Sequence, residues 1–183
     1  LLVTITSVSH AQRPSWIMQE TRQINRWTIE SNHSDLIYAS VNGMISNEDR
    51  LRLAFQPSDK CKNTALFTSF HTNTQAEDIT ALEGLEIALE VPNGKELPVT
   101  ISDVRSFGND NYVAVVGFVY MGAADMRQMM SNMNSGLDEL EVTIKPTETF
   151  NPEKYFNAPT NRWSLAGSME AFDRAKQLCE RIV

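Results

Sequence analysis

The chain is poor in the residues that carry most recognisable chemistry. Its 183 residues hold two cysteines and three histidines. Cys61 and Cys179 stand far apart, in no CxxC pair or Cys/His cluster, which excludes thioredoxin-like redox motifs and zinc-finger spacing. GxSxG, HExxH, a glycine-rich phosphate loop and EF-hand spacing are all missing. No apolar run approaches the ~18 residues that a membrane-crossing helix needs. There is no basic stripe either. Lys and Arg total 16 against 23 Asp and Glu, a net charge of −7, and no basic cluster is longer than a pair such as Lys60 with Lys62. A nucleic-acid binder needs a positive stripe to displace counterions, and an acidic surface disfavours anionic lipid.

What is present describes a globular chain. With 42% apolar and 21% charged residues, it can build a core, and its length suits one domain rather than two. Leu1–Val8 is apolar apart from threonines and a serine, and Ser9-His10-Ala11 places small residues three before and one before a break. That pattern reads as a signal-peptide remnant over residues 1–11, with a single domain over 12–183. The same alternation would also suit an N-terminal strand. In an oxidising compartment a lone cysteine pair bridges, so export and a Cys61–Cys179 disulfide support one another. The alternative is two buried thiols in a cytosolic protein.

Strand patterns dominate the rest. Arg26–Glu30, Leu36–Val41 and Leu51–Phe55 alternate, with Asn42-Gly43 as a turn signal and Arg52 on a wet face. Pro57–Lys60 turns the chain into a return arm through Ala65, Phe67 and Phe70. Leu85–Val91 and Leu97–Phe107, joined by Pro92–Lys95, form the clearest hairpin. Tyr112–Tyr120 is a continuous apolar strand, and Leu137–Lys145 is another. These patterns predict a mostly β fold: an antiparallel β-sandwich of about eight strands, with one inserted helix and one C-terminal closing helix.

The inserted helix covers Ala123–Met133, with Met126, Met129, Met130 and Met133 at the spacing of one face. The closing helix follows Gly167, with Ser168 as its N-cap. Its apolar face holds Ala171, Phe172, Ala175, Leu178, Cys179 and Ile182. Cys179 then faces the sheet, where it can reach Cys61.

Few residues invite a chemical role. Five of the eight methionines lie between Met121 and Met133. Thioethers can hold Cu(I), but this spacing is equally that of a helix filling an irregular core. His33 and His71 sit in polar, turn-like contexts where exposure is the default, and His33 beside Ser34 and Asp35 is no triad without convergence in space. Glu86, Glu90, Asp138, Glu139 and Glu141 read as solvated strand edges. Asn32-His33-Ser34 matches a glycosylation acceptor, a short and frequent pattern. The long segment from Pro146 to Asn161, with Tyr155 and Phe156, and Trp163 just beyond, reads as a cover over the sheet.

Trp163-Ser164-Leu165-Ala166-Gly167-Ser168, then Ala171-Phe172 and Cys179, resembles the end of the bacterial invasion-associated locus B family. Order is similar elsewhere: a strand at Trp27, paired strands containing Cys61, a strand after Leu97-Pro98, and a helix before Gly136 leading into Leu137–Ile144. The closing strand and helix are also similar to accessory proteins of the type VI secretion system. The chain departs from the first family in having a single cysteine pair, and its tail runs on to Cys179. The resemblance implies a periplasmic β-sandwich with no enzymatic activity and no catalytic residues to carry over.

The expectation is therefore a periplasmic or secreted, non-enzymatic accessory protein of the bacterial envelope, without cofactor or metal. It would bind a protein partner through a sheet edge or through Met126, Met129, Met130 and Met133. The alternative is a soluble carrier of a small apolar ligand or Cu(I) using the same four methionines. An enzyme with an unrecognised carboxylate site is a third reading.

Overall fold

The computed structural model describes residues 22–31, 36–72, 79–106 and 112–183. The expected signal remnant at 1–11 and the Asn32-His33-Ser34 acceptor lie outside them. Among the described residues there are eleven strands in two antiparallel sheets, more than the eight or so expected, and two α-helices.

The larger sheet contains β1 (Arg22–Ile24), β2 (Trp27–Ser31), β3 (Ile37–Asn42), β4 (Arg50–Phe55), β5 (Asn63–His71), β8 (Asp103–Ser106) and β9 (Tyr112–Gly122). Their order is β1-β2-β3-β4-β5-β9-β8. The smaller sheet contains β6 (Glu86–Val91), β7 (Lys95–Thr100), β10 (Glu139–Lys145) and β11 (Thr160–Ser164), in the order β11-β10-β6-β7. Helix α1 spans Ala123–Gly136 and α2 spans Ser168–Ile182.

Period-two alternation decides which face of the larger sheet is dry. Trp27, Ile29, Ile37, Ala39, Val41, Leu51, Leu53 and Phe55 are all buried on one side of β2, β3 and β4. Helix α2 covers this face. Phe172 meets Phe55 edge-on with ring centroids 5.0 Å apart, and Ala171, Ala175 and Cys179 are fully buried beside it. Burying a ring of that size stabilises by about 1.5–3 kcal/mol relative to leaving it wet. Cys179 bridges Cys61, joining α2 to the turn between β4 and β5. The N-cap of α2 is Gly167, in the left-handed region at φ 82°, rather than Ser168, whose side chain is buried in the first turn.

The expected hairpin divides between the sheets. β6 and β7 pair from Glu86↔Thr100 to Val91↔Lys95, turned by left-handed Asn93 and Gly94. Beyond Thr100 the strand breaks. Ile101 donates its N–H to Leu85 O (2.9 Å) in the smaller sheet, and Ser102 donates to Val115 O (2.9 Å) in the larger. The chain thus changes sheets at a fully buried Ile101. β9 has a bulge against β5 between Leu66 and Thr68, and it contains Gly117 at φ 67°. A Cβ on Gly117 would come within 3.2 Å of Leu89 in β6, so glycine lets the bulged strand approach the smaller sheet.

Between the sheets, Phe70 on β5 meets Trp163 on β11 at 5.7 Å and Phe156 at 6.0 Å, both edge-on. Of the segment from Pro146 to Asn161 expected to be a cover, Thr160 and Asn161 belong to β11, and the part before them packs over the core. Phe150 and Phe156 are buried, Phe150 stacks on Tyr155, and Thr72 forms a β-bridge with Phe156.

Candidate interaction surface

The loop from Gly43 to Asp49 joins β3 to β4, and it is held from beneath by polar groups in the interior. Asn161 on β11 and Asp49 are both buried. The Asn161 amide nitrogen donates to Asp49 Oδ2 (2.7 Å) and Ser46 O (2.9 Å). Its oxygen accepts from Ile45 N–H (3.0 Å) and Arg162 N–H (2.8 Å), so every polar atom of the side chain is used. Asp49 Oδ1 accepts the His71 N–H at 2.7 Å. Gly43 N–H donates to Asp49 O, and Met44 N–H to Arg162 O.

The Asn42-Gly43 step is therefore not a tight hairpin turn. Gly43 is required for space instead, since a Cβ there would collide with the Asn161 amide and Ser46 O. At the tip of this braced loop, Met44 and Ile45 are 38% and 50% exposed. They are adjacent in sequence and are two of the five exposed large apolar side chains among the described residues. The others are Val119, Tyr120 and Val183.

The four methionines expected to share one surface are divided by the helix. Met126 and Met130 are fully buried, together with Ala123, while Met129 and Met133 lie half-buried against the core. The i, i+4 pair faces inward because α1 rests on β9, β5 and α2, where its flexible side chains fill the gap. Arg127 on its outer side makes a two-pronged pair with Asp173 of α2, at 2.7 and 2.8 Å. The Asp173 carboxylate raises the Arg127 pKa from its ordinary value, chiefly through that hydrogen bond.

His71 is not an exposed turn residue. It ends β5 with its side chain 21% exposed, and its Nδ1 is 3.6 Å from Asp49 Oδ1, beyond hydrogen-bond reach. Both Asp49 oxygens are already occupied by structural donors, the His71 backbone N–H and the Asn161 amide. Of the carboxylates read as strand edges, Glu86 and Glu90 on β6 and Glu139 and Glu141 on β10 lie on the two interior strands of the smaller sheet, and Asp138 just precedes β10. Glu90 pairs with Lys145 at 2.7 Å, and Glu139 and Glu141 flank Arg162 at 3.4 and 3.7 Å. No group of three or more His, Cys, Asp or Glu among the described residues is arranged to hold a metal ion.

Compared with protein-family models, curated proteins and solved structures, the chain matches none. No helix among the described residues is long and apolar enough to cross a membrane, and the Cys61–Cys179 disulfide is compatible with a location outside the cytoplasm. The Gly43–Asp49 loop escaped sequence reasoning because its support, Asn161, is 112 residues from Asp49. The one local signal was the apolar pair Met44-Ile45 inside a polar turn.

Proposed function

We propose that this chain is an exported, non-enzymatic interaction module of the cell envelope, a β-sandwich that docks a protein partner through the Gly43–Asp49 loop. One observation carries the reading. A buried Asp49–Asn161 network, with four hydrogen bonds from Asn161 alone, holds rigid a loop whose tip offers two apolar side chains to solvent. An apolar tip fixed before binding loses little conformational freedom on association, which is how preorganised contacts gain affinity. The resemblance of the C-terminal segment to invasion-associated locus B proteins agrees with an envelope role. The carrier alternative is weakened because only Met129 and Met133 of the four methionines reach the surface.

The test is a photo-reactive residue at position 45 in the native envelope, with the same residue at exposed position 177 of α2 as the control. One cross-linked protein from position 45, absent from position 177 and lost on Met44→Asp, is expected. Identical products from both positions, or none from position 45, would defeat the proposal.

A further inference from the structure

The described methionines are graded in their reach to solvent, and the most exposed of them sits at the tip of the braced loop. Met126 and Met130 are fully buried, and Met121, Met129, Met133 and Met169 are half-buried against the core. Met44 alone among them is exposed, at 38%. Met18 lies outside the described residues. A thioether sulfur is a soft nucleophile that peroxides oxidise where they can reach it. Of the described methionines, an oxidant meets Met44 first.

What oxidation does at this position follows from the bonds that hold the loop. Met44 N–H donates to Arg162 O (2.8 Å), Ile45 N–H to Asn161 Oδ1 (3.0 Å) and Gly43 N–H to Asp49 O (2.7 Å). Ser46 O accepts from the Asn161 amide (2.9 Å). These bonds use backbone groups and the Asn161 side chain, and the Met44 thioether takes no part in them. In the reaction the Sδ lone pair attacks one peroxide oxygen, and the O–O bond breaks as the S–O bond forms. The displaced hydroxide takes the proton from the transferred oxygen and leaves as water. Sulfur gives up the electron pair that the peroxide gains. The loop keeps its shape while its tip turns from apolar to polar. A sulfoxide oxygen pressed against an apolar partner surface loses its water without gaining a donor, so docking weakens. At Met126 the same oxygen would enter the core, and burial guards that position. We propose that Met44 is a modification site, oxidised by hydroperoxides to the sulfoxide, and that its oxidation turns the partner loop off without unfolding the chain. The proposal rests on the reading of this loop as the docking surface.

The experiment treats the full chain, in a Met18→Leu background, with limiting hydrogen peroxide, removes the oxidant and maps the sulfoxides by peptide mass spectrometry. Sulfoxide at Met44 is expected to accumulate about tenfold or more faster than at Met126 or Met130, with the urea midpoint unchanged. The treated chain, carrying the photo-reactive residue at position 45, is then added to untreated envelope. Its cross-link is expected to fall about tenfold. In Met44→Leu the same dose should leave the cross-link at full strength, because leucine is apolar and cannot take up the oxygen. Equal rates at Met44 and the buried methionines overturn the proposal, as does an unfolding midpoint that falls as Met44 is oxidised. A cross-link that survives Met44 oxidation, or is lost equally in Met44→Leu, overturns it and leaves the docking surface standing. No cross-link before oxidation defeats the docking reading, and the switch falls with it.

Discussion

The amide of Asn161 donates to the buried carboxylate of Asp49 at 2.7 Å, tying β11 of the smaller sheet to the start of β4 in the larger. Removing the amide leaves Asp49 Oδ2, Ile45 N–H and Ser46 O short of their partners in or near the interior. Asn161→Ala is expected to cost about 2–4 kcal/mol in urea unfolding, since each orphaned buried group costs about 1–3 kcal/mol. The Ile45 amide should also exchange with solvent faster in the variant. Unchanged stability and exchange would mean that the loop is held by something else.

The two ends of the chain's logic were unequally legible. Alternation placed β3, β4, β6 and β10 close to their true limits because each has one dry face, and the closing helix showed its apolar stripe directly. The break at Ile101 left only a faint trace, a step of three residues from Ile101 to Val104 after the regular alternation of Leu97, Val99 and Ile101, and nothing local says that the backbone there changes sheets. Arg52 was read on the wet face, and it is in fact half-covered there, its guanidinium donating to Ser69 Oγ. Alternation says which side a residue takes, not whether its neighbours cover it. Gly43 looked like turn chemistry, yet its small size serves an approach by Asn161 from far along the chain.

The division of the α1 methionines gives a graded expectation. Met126→Ala removes a fully buried side chain and should cost about 2–4 kcal/mol, with Met129→Ala nearer 1 kcal/mol. Thermal and chemical unfolding of the two variants checks this. Equal and negligible losses would put both side chains on a surface and revive the carrier reading.

The Cys61–Cys179 bridge closes a separation of 118 residues and holds the far end of α2 against the β4–β5 turn. In the chain-entropy account a loop of this size stabilises by about 4–5 kcal/mol, less any strain. Cys61→Ser with Cys179→Ser should lower the unfolding midpoint accordingly. Alkylation of the native protein without reductant should leave both cysteines unmodified. Labelling of either would refute the bridge.

For Arg52, the pH dependence has a definite sign. Burial pushes its folded-state pKa down to about 10, below the ordinary arginine value, so between the two the unfolded chain binds more protons than the folded one. Stability contributed at this position therefore rises as the pH climbs above about 10 toward the ordinary arginine pKa, and below that window the penalty is constant. Arg52→Gln removes the penalty along with the bond to Ser69. The variant should be more stable than the parent by about 1 kcal/mol near neutral pH, with the advantage shrinking above pH 10. Urea unfolding of the pair at about pH 8 and about pH 11 reads the difference, and the subtraction cancels the tyrosines and lysines that titrate in both proteins. A variant less stable than the parent at both pH values would show that Arg52 contributes more through its contacts with Ser69 and Phe67 than burial of its charge takes away.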